Sequence, residues 1–180
     1  MNELKRRTTL LFELVGTVFI VLIGSLLHFT FELSGNNPVI GAFSAVNESV
    51  WEHLKLSYWP ALIYAIIEYR YLKKTTRSFF LAKAVGIYLL PLIIVSFFYF
   101  YRTFTEENLF LDISIFVVAV AIGQLASYKL LNRKETPEIY DKISVIAIIL
   151  LAILFVLFTF YPPQIPIFQD PSSGNYGIPK

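Results

Sequence analysis

Long apolar runs alternate along this chain with short connections rich in charged and turn-forming residues. About 20 predominantly apolar residues are needed to cross a bilayer as a helix. On that measure the pattern predicts an all-α membrane bundle of about five transmembrane helices, over residues 9–31, 49–72, 78–101, 109–131 and 141–161. Pro60 and Pro91 fall inside the second and third runs, where each removes a helix hydrogen bond and predicts a kink that neighbouring helices accommodate. The first run follows Lys5, Arg6 and Arg7 but is too long for a secretion signal and has no small-x-small cleavage site, so it reads as a retained helix. Residues 34–46 begin with turn chemistry (Gly35, Asn36, Asn37, Pro38) and end apolar, which fits a loop or a shallow re-entrant dip. The division is a helix bundle over 1–161 and an extended tail over 162–180, rich in proline, glycine and serine and able to fold back as a lid.

Positive charge sets the orientation, because lysine and arginine are retained on the cytoplasmic side. Lys5, Arg6 and Arg7 precede the first run; Arg70, Lys73, Lys74, Arg77 and Lys83 surround the second connection; Lys129, Arg133, Lys134 and Lys142 surround the fourth. Those twelve of the fifteen basic residues leave only Lys55 inside a run, Arg102 at the third connection and Lys180 in the tail. The alternation predicts the amino terminus inside and the carboxyl terminus outside.

Composition agrees: 56% of the 180 residues are hydrophobic and 16% charged, with a mean hydropathy of +0.63, a balance that suits a bilayer. A net charge of +2, with its basic residues at helix ends, argues against nucleic acid as a partner. The absence of cysteine excludes disulfides, thiolate metal sites and cysteine nucleophiles.

Ionisable residues inside spans are costly, so their positions mark candidate sites. Ser25, His28 and Glu32 share one face near the outer end of the first helix, and Glu48, Glu52 and Lys55 share one on the second, with His53 about a quarter-turn away. The short connection makes these two helices expected neighbours, so the stripes meet. Three carboxylates face one lysine, and a buried excess of that kind needs protonation, a bound cation or a cationic ligand.

Four readings compete. As a metal centre, His28, His53, Glu52 and Asp112, with Glu48 also within the set, offer the nitrogen and oxygen ligands that zinc or manganese accepts. Glu52 and Glu48 would then be the catalytic carboxylates of a metal-dependent membrane hydrolase, and Lys55, Ser25, Asn47 and Asp170 would hold a polar lipid headgroup or a cation. As a proton-coupled or ion-conducting transporter component, the same groups would need inner partners, of which Glu13, Glu68, Gln124 and Ser127 are the candidates. A bis-histidine haem is a third reading. The fourth is structural, a membrane subunit of a larger complex or a homo-oligomer: Ser49 and Glu52 have the spacing of a capping box, Lys55 can snorkel to headgroups, and Glu68 can pair with Arg70 at the interface. There is no His-Glu-x-x-His and no Gly-x-Ser-x-Gly.

Two stretches, NESVWEHLK over 47–55 and FQDPSSGNYGIP over 168–179, resemble those of a family of small prokaryotic multi-spanning membrane proteins of unknown function. The resemblance implies the plasma membrane of a bacterium or archaeon and no particular activity, cofactor or catalytic residue. The chain lacks the His-x-x-x-His of ceramidase-like hydrolases and the Glu-Glu-x-x-x-Arg of glutamic intramembrane proteases.

Overall fold

A computed structural model describes residues 3–73, 78–133 and 136–179; Lys74, Arg77, Lys134 and Lys180 of the charge pattern lie outside them. Among the described residues the chain is all-helical: α1 (Glu3–Leu33), the one-turn α2 (Pro38–Gly41), α3 (Val50–Leu72), α4 (Phe79–Arg102), α5 (Leu109–Leu131) and α6 (Glu138–Phe160), with a 3₁₀ turn at Pro166–Phe168. Helices α1, α4, α5 and α6 are long and apolar enough to cross a membrane, which marks a multi-pass membrane protein. α3 matches them in length with 23 residues but carries Glu52, His53, Lys55, Glu68 and Arg70.

Exposure follows the same division. Leu14, Val18, Leu22 and Leu26 of α1 and Ile146, Ile149, Leu150 and Ile153 of α6 are exposed, apolar stripes at helical spacing that suit contact with lipid. α3, by contrast, buries Glu52, Lys55, Ser57, Tyr58 and Glu68. It lies between α1 and α4, with α5 across both α1 and α4, and α6 packed on α4 and touching α3. The hydroxyl of Tyr58 donates to the Ile148 carbonyl (2.7 Å) and that of Tyr88 to the Ala147 carbonyl (2.7 Å), fastening α3 and α4 to the same turn of α6.

Small residues set the closest helix approaches, as is usual where lipid offers no hydrophobic drive to association. A Cβ on Gly86 of α4 would come 2.9 Å from the Gly123 carbonyl oxygen, and one on Gly123 of α5 would come 2.8 Å from that of Gly86. Gly24 of α1 packs directly on the Leu56 carbonyl. That carbonyl is the one a helix would pair with residue 60, and Pro60 has no N–H to give it.

The loop-or-dip segment is a tucked connection. α1 ends on Gly35 (φ 70°) and Asn36 (φ 61°), both left-handed, with their amides donating to the Glu32 and Phe31 carbonyls. Asn37 caps α2 by accepting from the Val39 amide (2.9 Å). Ser44 then folds back on α1, accepting from the Phe31 amide (3.2 Å) and donating to the Leu27 carbonyl. The tail also returns: Phe168 is buried among Trp51 and Phe158, with ring centroids 4.8 and 5.3 Å away, and Asn47 donates to the Gly177 carbonyl (2.8 Å).

Gly86→Val or Gly123→Val forces α4 and α5 apart. Each should lower stability by about 1–3 kcal/mol, read as a fall in the unfolding temperature of purified protein in detergent, while a valine at exposed Leu22 should leave it nearly unchanged.

Candidate metal centre

One end of the bundle gathers the carboxyl ends of α1, α4 and α6 and the amino ends of α3 and α5. A cavity of about 460 Å³ opens there, with Val21, Leu56, Ile94, Phe98 and Phe116 among its apolar walls and His28, Glu48, His53, Arg102, Glu107 and Asp112 among its polar ones.

The polar cluster is built by the entry into α3. Ser49 is the N-cap, with extended backbone and its hydroxyl accepting from the Glu52 amide (3.4 Å), and Asn47 accepts from the Ser49 amide (2.9 Å). Only half of a capping box forms, because the Glu52 carboxylate accepts from the Val46 amide (3.1 Å) instead of reaching back to residue 49. Glu48 therefore precedes the helix and does not continue the Glu52–Lys55 stripe. It turns toward the histidines: His28 Nε2 is 3.3 Å from His53 Nε2, Glu48 Oε2 is 3.4 Å from His53 Nε2, and 3.9 Å separates Glu48 Oε2 from His28 Nε2. The three side chains are about a third to a half exposed.

The hydrogen bonds make this cluster directional. His53 Nδ1 lies 2.9 Å from the Ser49 carbonyl oxygen, an acceptor only, so Nδ1 carries the proton and donates. In the neutral ring Nε2 then presents its lone pair to His28 and to the Glu48 carboxylate. Three ligand atoms converge on one point, and a proton or a metal ion is what relieves that convergence. A backbone carbonyl holding the far nitrogen is also the arrangement that orients histidine as a metal ligand. When His53 takes up a second proton, its Nε2–H donates to Glu48, and that hydrogen bond holds the Glu48 carboxyl below its ordinary value of 4.5, against the opposing effect of part burial and with the charges of His53 and His28 adding to it.

The other expected site residues are placed elsewhere. Glu52 is buried and faces the bundle interior, ion-paired to Lys55 at 2.5 Å and accepting from the Thr159 hydroxyl at 3.0 Å. Lys55 does not snorkel: it is wholly buried and donates to the Gly41 carbonyl and to Thr159, both at 2.7 Å. Asp112 lines the cavity and accepts from the Tyr101 hydroxyl at 2.6 Å. Ser25 also lines it, with its hydroxyl donating to the Val21 carbonyl (2.8 Å). Asn47 is committed to the tail and the cap. Asp170 organises the tail's own turn by accepting from the Ser172 amide (3.0 Å) and the Ser173 hydroxyl (2.5 Å), while its neighbours Gln169 and Pro171 reach the cavity wall. Glu32 is exposed.

Thr159 joins the Glu52–Lys55 pair unheralded by any motif; its signal in the sequence is a lone threonine near the end of the most apolar run. Lys83 is not the flanking charge that the pattern predicts. It is buried instead, between Glu13 at 2.7 Å and Glu68. That contact also replaces the expected Glu68–Arg70 interfacial pair.

Comparison with known proteins adds a family without a function. Residues 1–178 match the model of a family of unknown function, DUF6512. No curated protein and no solved structure matches the chain.

Two outcomes follow. Glu52→Ala strands a buried lysine and should cost about 3–5 kcal/mol, measured by chemical or thermal unfolding. A carboxyl held below its unfolded value stabilises the fold above that value and loses the effect as pH falls through the lowered one. The unfolding-temperature difference between the metal-free protein and Glu48→Gln should therefore be present at neutral pH and vanish as pH falls below 4.5.

Proposed function

The chain belongs to the DUF6512 family, and we propose that it is a five-span protein of a prokaryotic plasma membrane, amino terminus inside, that binds a divalent cation, zinc or manganese, through His28, Glu48 and His53. The observation that supports this most is the ligand triangle. Bonds of about 2.0–2.1 Å at tetrahedral angles place ligand atoms about 3.3 Å apart, and the spacings here are 3.3, 3.4 and 3.9 Å. Three protein ligands leave a fourth position for water or substrate, the pattern of catalytic rather than structural sites.

The cavity beside the triangle suits an amphiphile. Its aromatic and aliphatic walls accept acyl chains, while Arg102 offers a bidentate partner for a phosphate or carboxylate headgroup. Hydrolysis of a lipid ester or phosphate is the reaction this combination supports. A cation held by His28, Glu48 and His53 would polarise the bond under attack, and Asp112, on the wall of the same cavity, would take the proton from water. Glu52 is left out of this chemistry, because Lys55 and Thr159 occupy its oxygens. The expected alternative, a transporter component, uses these same outer groups and needs Glu13, Glu68, Gln124 and Ser127 as inner partners, which gather around Lys83 at the other end of α3.

Protein purified without chelator and analysed for metals should carry near one equivalent of zinc or manganese. His28→Ala, His53→Ala and Glu48→Gln should each lower that content at least tenfold while the protein stays folded. Metal-free wild type that gains no thermal stability on adding zinc or manganese would remove the proposal.

A further inference from the structure

The second polar cluster lies toward the other end of α3 and is independent of the histidine site. Glu13 of α1, Glu68 of α3 and Lys83 of α4 meet there, each no more than 3% exposed. Lys83 Nζ contacts Glu13 Oε1 at 2.7 Å and also Glu68 Oε2. From α5, Ser127 donates to Glu13 Oε1 (2.7 Å) and Gln124 to the Glu13 backbone carbonyl (3.4 Å). Tyr64 on α3 spends its hydroxyl on the Phe12 carbonyl (2.5 Å), and the Phe79 ring covers Lys83 at 5.6 Å. On α6, Asp141 is engaged at the Leu81 amide (2.8 Å).

Two carboxylates thus share one cation in a site closed to water, and among the described residues no second cation touches either. A net buried charge of that kind is not sustained. Two oxygens, Glu13 Oε2 and Glu68 Oε1, have neither a hydrogen bond nor an ion pair. A hard metal cation takes about six oxygen ligands, far more than these two atoms supply, whereas a proton needs one oxygen.

We propose that Glu13 and Glu68 form a proton-binding site that holds one exchangeable proton between them, with Lys83 balancing the carboxylate that remains. The other buried pair, Glu52 with Lys55, is already neutral as a unit and holds none. The placement of a proton inside the bundle, bridging three helices, is what a proton-coupled step would require.

Infrared spectroscopy of protein carrying ¹³C-labelled glutamate, in lipid nanodiscs at neutral pH, tests this in sodium chloride and in choline chloride. The expected result is a protonated-carboxyl C=O band that takes the isotope shift, is equal in both salts and persists in Glu52→Gln/Lys55→Met. Glu68→Gln and Glu13→Gln should each abolish it, because one carboxylate then faces one lysine. If neither glutamine variant folds, the labelled wild type and the Glu52/Lys55 double variant decide. No glutamic-acid band in the wild type, a band removed by sodium, or one removed by the Glu52/Lys55 substitutions would overturn the proposal.

Discussion

The architecture depends on charge balance along α3. A helix in an apolar bundle cannot leave an ionised side chain unpaired, and α3 buries Glu52, Lys55 and Glu68 within its 23 residues. Each is compensated from a different direction. Glu52 and Lys55 neutralise one another and take their remaining hydrogen bonds from Thr159 of α6, the Gly41 carbonyl and the Val46 amide. Glu68 reaches Lys83 of α4 and, through it, Glu13 of α1. These contacts explain why α3 is covered by its neighbours while α1 and α6 offer their apolar stripes outward.

The same constraint separates the residues free for chemistry from those that are not. Glu52, with both oxygens held by a buried lysine, a threonine and an amide, is turned away from the cavity and from any ligand in it. Glu48 escapes this because the helix begins at Val50, so it sits before the cap, part-exposed, beside two histidines whose nitrogens converge on it. The half-formed capping box is the local cause: the Glu52 side chain turns inward to Val46, and Glu48 is the carboxylate left on the cavity side. The connection over 34–46 contributes as well, since Ser44 ties it to α1 and its last residues bring Glu48 to His28.

Much of this was legible in the sequence. Apolar runs of span length located all five long helices, with α1 starting six residues before its run, and the three-and-four spacing on the first helix put Ser25 and His28 on one face, the side that lines the cavity. The pairing of the two histidines followed from the short connection between their helices. Partner choice was not legible. Assigning Glu48, Glu52 and Lys55 to one face assumed an ideal helix through residue 48, whereas the helix starts two residues later. Lys83 counted as a flanking charge because hydropathy cannot tell a lysine at the membrane edge from one buried by a carboxylate 70 residues away. Long-range partners such as Thr159 and Gly41 emerge only from tertiary packing.

The open histidine site is separate from the closed carboxylate–lysine clusters, and X-ray absorption spectroscopy of the zinc-loaded protein distinguishes them. The expected first shell is two imidazole nitrogens and one carboxylate oxygen at about 2.0–2.1 Å, unchanged in the Glu52→Gln/Lys55→Met double variant. A shell without imidazole, or one that changes when the Glu52–Lys55 pair is replaced, would contradict it.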